Sequence, residues 1–99
     1  MFNELDPLLL SQLRLAIMSL LISVEEAEFT FLREKTGSTA GNLSVQIEKL
    51  KKAEYISVEK TYRNNYPLTI CKITPKGIDA FEQYVRNLNQ YIQPKKQAG

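Results

Sequence analysis

Histidine and tryptophan are absent from this chain, and cysteine occurs once. Without histidine there is no imidazole general base, no Ser-His-Asp triad and no imidazole ligand for zinc. The single thiol, Cys71, cannot close an internal disulfide or build a thiolate zinc site, and such sparing use fits a reducing, cytoplasmic setting. On a strand it is expected as a small core residue rather than a redox sensor. The four glycines form no phosphate-cradling run, and no paired-carboxylate cleft is legible. No enzymatic activity, cofactor or metal is therefore expected. Long apolar runs are missing too. The longest, around Leu15 to Val24, is broken by Ser19 and Ser23 and falls far short of the ~20 residues of a bilayer span, so no membrane partner is expected. The opening Met1-Phe2-Asn3-Glu4-Leu5-Asp6 is acidic and lacks the basic region of a secretory signal.

What is present is an ordinary amount of material unevenly charged. The 99 residues suffice for one domain, expected over residues 1–92, with 93–99 as a frayed, patternless tail. Net charge is only +2, but residues 1–30 carry −4, residues 31–76 carry +5 and the remainder +1. Solvated helix faces also collect lysines, so this split gains meaning only from the elements that bear it.

Asp6-Pro7 is a helix start, with a carboxylate cap and proline at the first position, and Ser11 offers a second start. Leu13, Ile17, Leu20, Leu21 and Val24 then recur at helical spacing as a core stripe, which the acidic run Glu25 to Glu28 ends. Thr30 can cap a short second helix from Phe31 to about Thr36, and Gly37 suits the left-handed residue that stops it. Ser38 or Thr39 caps a third helix running to about Ala53, with Leu43, Ile47 and Leu50 facing inward. Tyr55 to Thr61 and Leu68 to Thr74 alternate with period two around a polar loop, Tyr62-Arg63-Asn64-Asn65-Tyr66-Pro67, which predicts a two-stranded wing. Thr74-Pro75 opens a last helix carrying Ile78, Phe81, Val85, Leu88 and Ile92. The expected fold class is α+β, mainly α: a winged helix-turn-helix with a three-helix core, a two-stranded β wing and a C-terminal dimerisation helix.

That layout presents the third helix to a DNA major groove. On a helical wheel Asn42, Val45, Lys49 and Lys52 lie opposite the apolar stripe, with Gln46 at the margin. Asn and Gln can pair with adenine edges, Lys can reach guanine or phosphate, and Val can meet a thymine methyl. Ser38 and Thr39, at the helix start, combine capping with phosphate contact. Lys60, Arg63, Asn64 and Asn65 would set the wing against the backbone or minor groove. Candidate DNA-binding residues are thus Ser38, Thr39, Asn42, Val45, Gln46, Lys49, Lys52, Lys60, Arg63, Asn64 and Asn65. Lys35 and Lys72 are added as phosphate-positioning charges, whereas Lys51 leans away. The last helix repeats its apolar residues at spacings of three and four, a narrow seam that suggests helix pairing. With the apolar N-terminus it predicts a homodimer through Phe2, Leu5, Leu8, Leu9, Phe81, Tyr84, Val85, Leu88, Tyr91 and Ile92.

These residues resemble the winged-helix transcriptional regulators of the MarR-like type, over roughly Leu5 to Ile92. The likeness is carried by Leu13 to Leu21, Phe29-Thr30-Phe31-Leu32, Gly37 through Leu50, Tyr55-Ile56-Ser57-Val58 and Ile73-Thr74-Pro75-Lys76-Gly77. It implies a homodimer that binds a pseudo-palindromic double-stranded operator. Larger relatives bind small phenolic effectors between their two parts; this chain is too short for much of that pocket, and its residues indicate no effector. Two features depart from the family pattern. Glu54 stands where relatives have Gly, so it must turn left-handed or the helix must end differently. The wing tip also holds asparagine and tyrosine where relatives place arginines. The sparse wing charge and the Tyr62/Tyr66 pair leave a second reading open, a winged helix that binds protein rather than DNA.

Overall fold

A computed structural model describes residues 2–92. A short 3-10 turn, Pro7–Leu9, precedes α1 (Gln12–Val24), β1 (Glu26–Glu28), α2 (Phe29–Thr36), α3 (Ala40–Lys52), β2 (Ile56–Arg63), β3 (Tyr66–Ile73) and α4 (Pro75–Ile92). Both starts read from the N-terminus are used. Asp6 accepts the Leu8 N–H at 3.0 Å, and Ser11 then caps α1 through Arg14 N. The expected frayed tail, Gln93 to Gly99, lies outside the described residues.

The core lies where α1, α2 and α3 meet the inner face of the sheet. Leu9, Ile17, Met18, Leu21, Leu32, Leu43, Leu50 and Cys71 are fully buried there, and Ile47, Ile56 and Ile73 nearly so. Burying one such leucine contributes about 1.5–3 kcal/mol of transfer free energy. Val24, expected on the core stripe, is instead 45% exposed, because α1 ends at its side chain and the chain turns away at Glu25. Met18 takes the central place.

Two local expectations are corrected. The second helix starts at Phe29, so Thr30 lies inside it, and the Glu28 side chain makes no cap bond. The wing loop is also shorter than six residues. Asn64 and Asn65 both have positive φ (51° and 68°), as a two-residue type I′ turn requires, and Arg63 pairs directly with Tyr66. Tyr62, Arg63, Tyr66 and Pro67 are therefore strand residues. Beyond the two-stranded wing, β1 adds a third antiparallel strand on the free edge of β3, with Glu26 opposite Lys72, Ala27 opposite Cys71 and Glu28 opposite Ile70.

Helix α3 ends in a Schellman motif with Glu54 in the left-handed position, φ 66°. Glu54 N–H donates to Lys51 O at 2.9 Å and Tyr55 N–H to Leu50 O at 3.0 Å. Thr74 caps α4 by accepting the Gly77 N–H at 2.9 Å. Gly77 itself is required by packing, since a Cβ there would sit 2.1 Å from the Tyr55 carbonyl oxygen.

The N-terminal segment runs along α4. Phe2 stacks on Tyr91 with ring centroids 4.6 Å apart, Asn3 N–H donates to Gln90 Oε1 at 2.7 Å, and Tyr91 O–H donates to Asn3 O at 3.0 Å. Asn87, nearly buried, accepts from Asn3 Nδ2 and Gln83 Nε2 and donates to Glu4 O, so its amide is satisfied. The face that α4 turns to its own chain is Gly77, Tyr84 and Asn87. This corrects part of the expected dimer surface. Leu9 (0% exposed) and Tyr84 (7%) belong to the protomer's own core, because the turn at Pro7–Leu9 and the inner face of α4 fold onto it. Leu5, Leu8, Phe81 and Leu88 are half-buried against the same core, while Phe2, Val85, Tyr91 and Ile92 stay exposed.

Candidate nucleic-acid interface

The turn between α2 and α3 is three residues long and begins at Gly37, φ 70°, whose N–H donates to Arg33 O at 2.9 Å. Thr36 Oγ1 donates back to Leu32 O at 2.7 Å and contacts Ser38 Oγ at 2.8 Å, which holds the half-buried Ser38 against the end of α2. Of the two candidate caps, Thr39 caps α3, accepting the Asn42 N–H at 3.1 Å. With Leu43, Ile47 and Leu50 buried inward, the opposite side of α3 is left bare: Asn42, Val45 (51% exposed), Lys49 and Lys52 all face solvent.

Gln46 is not free in the same way. Arg14, on α1, donates through Nε to Leu8 O at 2.7 Å and through Nη1 to Gln46 Oε1 at 2.5 Å. Gln46 Nε2 in turn donates to Asn42 Oδ1 at 3.1 Å. This relay ties both amides together, with the Asn42 oxygen accepting one hydrogen bond from Gln46. Both amides that the sequence assigned to adenine edges are thus engaged in hydrogen bonds within the chain.

The wing divides its charges between two faces. Side chains alternate along β2, and Val58 packs on the core, so Lys60 shares the face turned to α3. There Lys60 lines a crease with Ser44, Glu48 and Lys51 of α3. Lys51, set aside from the sequence, therefore stands beside Lys60. Arg63 points to the other face, where its guanidinium pairs with Glu28 of β1 at 2.5 Å. Asn64 and Asn65 form the exposed turn, flanked by Tyr62 (72% exposed) and Tyr66 (74%). Those two tyrosines, absent from the candidate set, are the largest exposed side chains of the wing. Two aromatic residues flanking the Asn64-Asn65 pair were the signal available in the sequence.

Burial pushes the Cys71 thiol up to about 11, away from the reactive thiolate. The Tyr55 phenol is pushed up to about 12, by burial first and then by its hydrogen bond to Asp6. Among the described residues no cluster of three metal-ligating side chains occurs, and no helix is long and apolar enough to cross a membrane.

The winged helix DNA-binding domain family matches this chain over residues 13–92. An uncharacterized protein of Methanocaldococcus jannaschii is 36% identical over 80 residues, spanning 81% of this chain and 87% of its own length. The solved structure of a transcriptional regulator homologue protein from Pyrococcus horikoshii OT3 superposes with a TM-score of 0.81 at 26% identity, over 86% of this chain and 84% of that one. The oxidized form of MarR from E. coli gives a TM-score of 0.71 at 20% identity, over 92% of this chain and 64% of that one, a likeness of fold. The chain belongs to the winged helix DNA-binding domain family and has the fold of the MarR-type transcriptional regulators.

Proposed function

We propose that this DNA-binding transcriptional regulator recognises a specific double-stranded operator as a homodimer, with α3 in the major groove and the wing beside it. The observation that carries the reading is the division of α3. Its apolar stripe is fully used inside the fold, whereas Val45, Lys49 and Lys52 are turned to solvent and Asn42, bonded only along its own helix and cap, is exposed beside them. Exposed lysines at the end of α3, joined by Lys51 and Lys60 across the crease, supply the phosphate contacts that dominate DNA affinity. Phe2, Val85, Tyr91 and Ile92 are exposed apolar residues of the N-terminal segment and α4, with Phe2 stacked on Tyr91, and a second copy would cover them.

The test is an anisotropy titration of labelled fragments from the DNA upstream of the encoding gene, at about 50 and about 200 mM salt. One fragment should bind well above the others, and its affinity should fall steeply with salt. Lys49→Ala combined with Lys52→Ala should weaken binding at both salts and lower the salt slope by about two, one for each phosphate lost. Equal, salt-insensitive or undetectable binding of all fragments would overturn the reading.

A further inference from the structure

Gly41 stands in the first turn of α3, where glycine is a poor choice. It is the worst helix former after proline, so a residue there needs another reason. None is found among the described residues. Its φ is not positive, and a Cβ built on it would meet nothing within 4 Å. Gly77 is the contrast, because there the chain itself fills the space. Gly41 is exposed and opens a stripe that continues through Val45, Glu48 and Lys52 at helical spacing, on the side of α3 opposite the core.

With no such reason among the described residues, we propose that Gly41 marks the point of closest approach between α3 and the DNA duplex. A missing side chain lets another surface reach the helix backbone, one of the recurrent uses of glycine. The neighbours identify that surface. Thr39 and Asn42 adjoin Gly41, and Lys49 and Lys52 extend the same side of the helix. A polyanion suits these lysines, whereas a second copy of the same lysine-bearing face would be repelled. Gly41 is thus a positioning residue. By leaving out a methyl group it sets the depth at which Asn42 and Val45 reach the bases.

This inference rests on the DNA-binding reading, and its test separates the two. Gly41→Ala and Gly41→Leu are compared with the wild-type protein by thermal unfolding and by titration of the same upstream fragments. Alanine should raise Tm by about 2–8 °C, since it favours the helix and clashes with nothing. The same variant should lose at least about tenfold in affinity for the preferred fragment, the size of one forfeited contact, and leucine should lose more although it too is a good helix former. Stability and binding would then move in opposite directions, which no folding defect produces. If both variants bind as tightly as the wild-type protein, Gly41 does not set the approach and the inference fails while DNA binding stands. If the wild-type protein itself binds none of the fragments, the DNA reading falls and takes this inference with it.

Discussion

At the scale of single residues, Glu54 shows how a position can be held against its own preference. A left-handed conformation costs a non-glycine residue about 1–2 kcal/mol, yet the Schellman bonds to Lys51 and Leu50 both form, and Thr74 Oγ1 donates to the Glu54 carbonyl at 2.7 Å. In return the carboxylate gains only an exposed pair with Lys76 at 3.6 Å, worth little. Replacing Glu54 by Gly should therefore stabilise the protein by about 1 kcal/mol, raising Tm by about 4–8 °C, whereas Glu54→Ala keeps the strained backbone and should gain nothing. Thermal unfolding followed by circular dichroism measures both, and equal effects of the two substitutions would refute the strain. The sequence already posed this choice, because an acidic residue followed the last helical turn where relatives place glycine. It could not decide it. Part of what holds Glu54 is a hydrogen bond from Thr74, twenty residues away.

At the scale of elements, the helices and the wing were legible because each carries its own period: Leu43, Ile47 and Leu50 for α3, and alternation from Ile56 for β2. The strand β1 carries none. Glu26-Ala27-Glu28 is too short and too acidic to signal a strand, and it becomes one only because β3 has a free edge and Lys72 lies opposite Glu26. The same blindness hid the fate of Arg63, whose partner Glu28 belongs to that unseen strand. The pair is exposed and weak in itself, but on the DNA reading it competes directly with a phosphate for the guanidinium. Removing the carboxylate by Glu28→Gln should tighten binding to the upstream fragment and steepen the salt slope by about one, as one more cation becomes available. Glu26→Gln serves as the reference for simple loss of negative charge, since Glu26 has no such partner among the described residues. Anisotropy titrations of both variants, repeated with Arg63→Gln present, give the coupling. Identical slopes for the two glutamate variants would mean that Arg63 stays out of the contact.

At the scale of the whole molecule, the apolar residues outnumber the places the protomer has for them. The core takes Leu9 and Tyr84, which the sequence had assigned to a partner, because a helical seam read in isolation does not reveal which neighbour it meets. Helix α4 faces its own chain through Gly77, Tyr84 and Asn87 and leaves Val85 and Ile92 on its open side. Phe2 covers Tyr91, anchored by the Asn3 hydrogen bonds, so the exposed apolar surface takes in the N-terminal segment as well as α4. A second copy laid against that surface would bury these side chains and give the assembly two α3 helices, one for each half-site of a repeated operator. Introducing charge there, by Val85→Glu with Ile92→Glu, should leave the fold intact, since both side chains are solvent-exposed. It should convert a dimer of twice 11.4 kDa into a monomer, read by light scattering after size exclusion. Helical circular dichroism should persist, and affinity for the operator should drop by about 10²-fold or more as the linked second half-site is lost. A wild-type protein that elutes as a monomer at micromolar concentration, yet binds its operator with full affinity, would show that one copy suffices and that this surface serves some other contact.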